Sequence, residues 1–237
     1  SFQGSTTGLD GDGLNAAVSG DTNAICDDDR TPDYTYPSCG GIAENGCSWT
    51  QCSVDDVAFS AALVQKVSAN VCIDSDRVYA VGGSNGGMFV WDLGRNERSA
   101  EVFRAVAPIL GLPHRGYLDP PVSESGMPVI SITGSRDRTV PPGEWGQDTF
   151  TTTSDGDVYY YSSASAITKV WAEAHGCDAT VPAEPVDIGS SSMECRGWSY
   201  CQSDSQWPPV MDCRGDMGHV YNLSSSWPLI LDFFEQL

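Results

Sequence analysis

The sequence predicts an α/β protein with a mostly parallel sheet flanked by helices. Apolar runs of five or six residues, with the composition of buried strands, lie at 77–81, 106–110 and 128–133. Segments with a helical pattern of apolar residues lie before, between and after them, at 53–69, 88–95, 164–175 and 227–237. Buried strands that alternate with helices indicate a parallel sheet covered on both faces.

Length and composition fit one globular domain. The chain has 237 residues, and 40% of them are hydrophobic, which is enough for a sizeable core. We expect a single domain over 1–237, with a loop-rich, disulfide-containing segment at 1–50 and a catalytic core at 51–237. No apolar run approaches the ~18 residues of a membrane span, so no span is predicted.

The net charge narrows the range of partners. Twelve lysines and arginines against 32 aspartates and glutamates give a net charge of −20. Nucleic acid is excluded as a partner because phosphate recognition needs basic patches. Polyanionic substrates would be repelled at low salt. We interpret the acidity as solubility in a salty or extracellular setting.

Nine cysteines indicate an oxidising compartment. Neither paired C-x-x-C motifs nor histidines at zinc spacing accompany them, so disulfides are favoured and no metal is expected. Because nine is odd, one thiol is free or pairs outside this sequence. With the glycosylation sequon at Asn222, this predicts a secreted protein. The cysteines are Cys26, Cys39, Cys47, Cys52, Cys72, Cys177, Cys195, Cys201 and Cys213.

The remaining elements follow from local signals. Residues 1–50 are rich in Gly, Asp, Ser, Pro and Cys, which predicts loops, and their acidic runs lack the spacing of a calcium loop. The pattern at 53–56 is that of a capping box and begins the first helix. Gly176 ends the helix at 164–175. The last helix, at 227–237, carries Leu229, Ile230, Phe233 and Phe234.

The strand at 77–81 runs into a G-x-S-x-G turn, with Gly82, Ser84 and Gly86 at the fixed positions. Strand, turn and helix together are typical of a nucleophile elbow, which strains the serine backbone and exposes its hydroxyl. Glycines on both sides let the strand and helix pass without a β-carbon clash. The N–H of Asn85 then becomes an oxyanion donor. An ordinary strand-to-helix turn is the alternative.

Asp137 is the best-placed acid. Its turn leaves the strand at 128–133 at the carboxyl end, where the active sites of open α/β sheets lie. A turn aspartate bonded to its own backbone is the alternative. Asp148 and Asp216 are weaker rivals, and Asp216 is so near His219 that orienting the ring would need an unusual loop.

His219 is the best-placed base among three histidines. It lies in a glycine-bearing loop just before the last helix, whereas His114 lies in a mid-chain loop and His175 in the last turn of a helix. The order Ser84, Asp137, His219 is that of the α/β-hydrolase fold and differs from the orders in chymotrypsin and subtilisin. The sequence therefore predicts a Ser–His–Asp triad on an α/β-hydrolase fold.

The chain resembles the polyhydroxybutyrate depolymerase and feruloyl esterase group of α/β-hydrolases. The similar stretches are 54–59, 77–88 and 105–108, and the turn at 137–141 and Gly218-His219 match the family's acid and base positions. The resemblance covers about residue 47 to the C-terminus. It implies a secreted serine esterase acting on hydroxyalkanoate polyesters or on feruloyl or acetyl esters of plant polysaccharides.

The chain departs from this family in two places. The family begins with strands and a His-Gly loop that supplies the second oxyanion donor, and no such motif precedes Ser84. Cys39-Gly40-Gly41 is a glycine-rich substitute, but no convincing strand leads into it. We therefore expect a sheet that is incomplete on its N-terminal side and is completed by a separate N-terminal segment or a second chain. After His219, Val220-Tyr221-Asn222 stands in place of the family's Trp-Pro.

The leading hypothesis is a secreted serine carboxylic-ester hydrolase that forms an acyl-enzyme, takes an ester as its partner and needs no cofactor. One alternative is a catalytically inactive α/β-hydrolase fold used for binding or structure. Another is a peptidase or acyltransferase with the same triad. Several aromatic residues in loops are candidates for lining a substrate cleft. Alternatively, these side chains pack beside a disulfide. They are Trp145, Trp198, Tyr200 and Trp207.

Overall fold

The computed structural model describes residues 35–36, 47–48, 56–95, 97–113, 127–152, 160–189, 191–201 and 205–237. The helices in these ranges are α1 (Asp56–Ser68), α2 (Asn85–Arg95), α3 (Glu97–Ala100), α4 (Ala164–Ala174) and α5 (Leu223–Glu235). The strands are β1 (Thr35–Tyr36), β2 (Cys47–Ser48), β3 (Tyr79–Gly83), β4 (Ala105–Ile109), β5 (Val129–Gly134), β6 (Phe150–Thr152), β7 (Tyr160–Ser162), β8 (Glu184–Val186), β9 (Glu194–Gly197) and β10 (Val210–Gly215).

A six-stranded sheet organises the described chain, in the order β3-β4-β5-β10-β9-β8. The first four of these strands are parallel, and β9 and β8 add two antiparallel pairings. The three predicted strands correspond to β3, β4 and β5, and the prediction of a mostly parallel sheet is confirmed. Pairs β1–β2 and β6–β7 form separate two-stranded sheets.

Helices cover both faces of the sheet. On one face, α2 and α4 bury side chains such as Trp91 and Trp171 against Val106 and Val129. On the other face, α5 buries apolar side chains against Ile130 and its sheet neighbours. Because side chains alternate along a strand, the fully buried strands β4, β5 and β10 contribute to both clusters.

Strand β10 was not predicted from the sequence, and the last helix begins earlier than predicted. Strand β10 carries Asp212 and Arg214, so its sequence does not read as a continuous apolar run, although all six of its residues are buried. The last helix was predicted to begin at 227. Helix α5 begins at Leu223 instead and contains Pro228 in its interior.

Strand β3, which leads to Ser84, is an edge strand within the described part of the chain. Its only strand neighbour there is β4, and all five of its residues are partly exposed, whereas those of β4 are fully buried. The expectation that another segment or a second chain completes the sheet stays a prediction. Residues 1–34, 37–46 and 49–55, including the expected capping box and Cys39-Gly40-Gly41, lie outside the described residues.

Two disulfides confirm the prediction that cysteines pair with one another. Cys195 and Cys213 join β9 to β10 at positions that are also register partners, and Cys177 joins Cys201. Cys72 is an exposed free thiol. None of the helices in the described ranges has the length and apolarity to cross a membrane.

His175 is a titratable side chain at the end of α4. The residue caps the C-terminus of α4, and its Nε2 is buried without a hydrogen-bond partner in the described structure. Burial lowers the pKa of His175 below the ordinary imidazole value, and a hydrogen bond with the Met127 backbone acts in the opposite direction. The folded protein therefore disfavours the imidazolium form.

We predict that His175→Gln flattens the acid side of the stability profile. As the pH falls below about 6.5, the unfolded chain takes up a proton at this residue before the folded chain does. The free energy of unfolding of the wild type therefore falls through this range, and glutamine removes that contribution. Urea denaturation at a series of pH values measures it. Parallel curves for the two proteins would contradict the prediction.

Candidate functional site

Ser84 occupies a strained position between β3 and α2. Its φ is 53°, in the left-handed region that non-glycine residues rarely adopt. Its N–H donates to the Ile109 carbonyl at 2.8 Å, and its carbonyl accepts from the Met88 N–H at 3.0 Å. These two bonds fix the turn at the carboxyl end of β3, so the Ser84 side chain is presented at the edge where the parallel strands end.

Close backbone packing holds this turn in place. A β-carbon on Gly82 would lie 2.2 Å from the Gly86 carbonyl oxygen, and one on Gly111 would lie 2.3 Å from the Ser84 carbonyl oxygen. A β-carbon on Gly86 would meet no atom within 4 Å. The expectation that both motif glycines avoid a clash is therefore correct for Gly82 and wrong for Gly86. Gly111 was missed because it lies 27 residues after Ser84 in sequence and outside the motif.

The structure brings Ser84, His219 and Asp137 together. His219 Nε2 lies 3.0 Å from Ser84 Oγ, and His219 Nδ1 lies 2.7 Å from Asp137 Oδ2. The Asp137 side chain is fully buried and that of His219 is 24% exposed. With an ionised carboxylate at Asp137, Nδ1 carries the proton and Nε2 is free to accept one from the Ser84 hydroxyl. This arrangement is able to act chemically as a nucleophile, a general base and an orienting acid.

Asp137 is fixed by its own turn as well as by His219. Its Oδ1 accepts hydrogen bonds from the backbone N–H groups of Thr139 and Val140, both at 2.9 Å. The backbone-bonded turn that the sequence offered as an alternative is therefore present together with the contact to His219. One carboxylate oxygen anchors the turn, and the other faces the imidazole.

The loops that carry Asp137 and His219 are bonded to each other. Ser135 N–H donates to the Gly215 carbonyl at 2.9 Å, and Arg136 N–H donates to the Met217 carbonyl at 3.0 Å. The Arg136 guanidinium also pairs with the Asp216 carboxylate at 2.6 Å. Parallel pairing of β5 with β10, up to Gly134 opposite Gly215, brings the two loops side by side.

A buried charge cluster on β10 anchors the far side of the acid loop. Arg214 pairs with Asp212 at 2.8 Å, donates to the Ser165 hydroxyl at 3.0 Å and donates to the Gly143 carbonyl. Its guanidinium also lies 3.7 Å from the ring centre of Trp145. Burial raises the pKa of Asp212, and the Arg214 hydrogen bond acts in the opposite direction. The sequence did not reveal that Asp212 and Arg214 anchor the acid loop, because the strand that carries them was not predicted.

The other candidates for the acid and the base bind other partners or lie elsewhere. Asp216 is 83% exposed and pairs with Arg136, and Asp148 is 58% exposed and pairs with Lys169 at 3.2 Å. His175 caps α4, and His114 lies outside the described residues. Of the described candidates, only Asp137 and His219 contact each other, and His219 also contacts Ser84.

The four loop aromatics do not share one location. Trp145 lies against Arg214, Trp198 is buried in the core, and the Trp207 indole donates to the Asp187 carbonyl. Tyr200 is 83% exposed and precedes the disulfide-bonded Cys201. Packing within the fold therefore accounts for three of them.

Asn85 is the predicted oxyanion donor, and it is the first residue of α2. The first backbone N–H groups of a helix have no acceptor within the helix, so this N–H is free to bind an anion beside Ser84. No cluster of three or more His, Cys, Asp or Glu side chains suited to a metal ion occurs in the described ranges.

Comparison with known proteins supports the fold. No protein-family model matches the chain, and no curated protein matches it in sequence. Among solved structures, the chain is similar to an acetyl xylan esterase from Aspergillus awamori, with a TM-score of 0.51 and 14% identity. The match covers 78% of this chain and 69% of that one. At this identity the likeness shows the fold alone, a mixed α/β fold consistent with an α/β-hydrolase.

We predict that alanine destabilises the fold at Gly82 and not at Gly86. Gly82→Ala forces a β-carbon onto the Gly86 backbone and lowers the free energy of unfolding by about 1–3 kcal/mol. Gly86→Ala leaves it unchanged or raises it by up to about 1 kcal/mol, because alanine favours helix and meets open space. Urea denaturation measures both. Equal destabilisation by the two variants would show that the packing at Gly82 is not the constraint.

Proposed function

We propose that the chain is a secreted serine carboxylic-ester hydrolase. The observation that carries the proposal is the contact between Ser84 Oγ and His219 Nε2 at 3.0 Å, with the serine held at φ 53°. The buried contact of His219 with Asp137 supports it, as does the similar fold of an acetyl xylan esterase. The two disulfides fit an extracellular protein.

The reaction proceeds in two steps through an acyl-enzyme. Ser84 Oγ attacks the ester carbonyl carbon while His219 Nε2 takes the hydroxyl proton, and the Asn85 N–H donates to the oxyanion. The carbon–oxygen bond to the alcohol breaks, and His219 returns the proton to the leaving oxygen. Water then attacks the acyl-enzyme by the same route and releases the acid. Asp137 holds Nδ1 protonated and stabilises the imidazolium.

The substrates we propose are neutral esters. A net charge of −20 repels polyanions at low salt, so an uncharged polyester or an acetyl or feruloyl ester of a polysaccharide suits this surface better than a charged polymer. The sequence resemblance to polyhydroxybutyrate depolymerases and feruloyl esterases implies the same classes of ester substrate. Rates on an aryl acetate, methyl ferulate and a hydroxybutyrate oligomer rank these classes, and a peptide serves as the competing substrate.

We predict that a fluorophosphonate probe labels the wild type and fails to label Ser84→Ala. Ser68→Ala is the matched control, because Ser68 is exposed and bonds only within its own helix.

Asp137→Asn preserves side-chain size but loses the carboxylate that fixes the histidine tautomer, so kcat on an aryl acetate falls by about 10⁴-fold. Probe mass on a tryptic peptide and steady-state kinetics measure these effects.

The inactive alternative has a distinct outcome in the same experiment. Folded wild-type protein that neither takes up the probe nor hydrolyses any of the three esters would indicate a hydrolase fold used for binding. Labelling that persists in Ser84→Ala would place the nucleophile elsewhere and overturn the assignment of Ser84.

A further inference from the structure

Tyr221 lies against the strand residue that precedes the nucleophile. A β-carbon on Gly83 would lie 2.3 Å from Tyr221 Cε1 and 2.9 Å from the Tyr221 hydroxyl oxygen. The ring therefore lies beside the α-carbon of Gly83, the residue bonded directly to Ser84. The absence of a side chain at Gly83 creates the space that the ring fills.

The chain path explains why Tyr221 reaches this position. His219 contacts Ser84, and Tyr221 follows two residues later, just before α5 begins at Leu223. Helix α5 then packs against one face of β3, where the ring centres of Phe234 and Tyr79 stack 4.2 Å apart. The segment 219–222 therefore crosses the carboxyl end of β3 from the base loop to the helix, and Tyr221 lies on that crossing.

The Tyr221 hydroxyl has no hydrogen-bond partner within the described structure, and the residue is 49% exposed. Tyr79, on the same side of β3, differs because its hydroxyl donates to the Phe234 carbonyl at 3.1 Å. A phenol with a free donor, next to the residue that precedes the nucleophile, is able to donate a hydrogen bond to an oxygen of a molecule bound at the site. A tyrosine hydroxyl is among the donors that stabilise an oxyanion.

The proposed reaction requires such a donor. An oxyanion hole combines two hydrogen bonds, and Asn85 N–H supplies one of them. We propose that the Tyr221 hydroxyl donates the second hydrogen bond to the oxyanion formed on Ser84, as a side-chain substitute for a backbone donor. This inference rests on the proposed esterase function. It also assigns a catalytic role to the segment after His219, where the chain departs from the family it resembles.

The test compares Tyr221→Phe with wild type on an aryl acetate and on its thionoester. Phenylalanine keeps the ring on Gly83 and removes only the hydroxyl. We expect kcat on the ester to fall about 10²-fold with little change in KM, since the donor acts in the transition state. Sulfur is a weak acceptor, so the thionoester loses less and the ester-to-thionoester rate ratio falls. Tyr79→Phe, which removes a tyrosine hydroxyl bonded to the Phe234 carbonyl, is the matched control and leaves both rates unchanged.

Each outcome decides one claim. If wild type hydrolyses the ester and Tyr221→Phe retains its kcat, or loses rate equally on ester and thionoester, the oxyanion role is overturned and the esterase stands. If folded wild type hydrolyses neither substrate, the proposed function fails and the role of Tyr221 fails with it. Circular dichroism and the melting temperature of each variant establish that a loss of rate does not come from unfolding.

Discussion

The left-handed backbone at Ser84 is the constraint on which the site depends. A serine at φ 53° costs free energy, and the surrounding backbone must supply it. Gly82 and Gly111 leave room for the Gly86 and Ser84 carbonyls to approach, and hydrogen bonds to Ile109 and from Met88 fix the turn. Tight packing on both sides of the turn therefore defines where the hydroxyl points, before any base or acid is considered.

The second requirement is that two distant loops meet this serine. Parallel pairing of β5 with β10 brings their carboxyl ends together, and backbone bonds from Ser135 and Arg136 tie the acid loop to the base loop. Arg214 holds the opposite side of the acid loop through the Gly143 carbonyl. The geometry at His219 is therefore supported by the sheet and by the buried charge pair with Asp212, and not by the three site residues alone.

The parts predicted from sequence were those with a local signal. Apolar runs identified β3, β4 and β5, and the G-x-S-x-G motif identified the turn at Ser84. Asp137 followed from its place at a strand end and His219 from its loop before the last helix, and chain order supported both. Strand β10 was missed because a buried salt bridge interrupts its apolar pattern. Gly111 and Tyr221 act through contacts with Ser84 and Gly83 that depend on sheet pairing and on the crossing into α5, so spacing alone did not reveal them.

We propose that Ser84 is the nucleophile of an acyl-enzyme. Trapping this intermediate and locating its acyl group is the most direct test. Mixing the protein with an aryl acetate, quenching in acid within the first turnover and mapping the peptides by mass would locate the acyl group. We expect one acetyl group on the peptide that contains Ser84, with fragment ions that assign the modification to that residue. An acetyl group on any other residue, or ester turnover with no acylated peptide at any quench time, would contradict it.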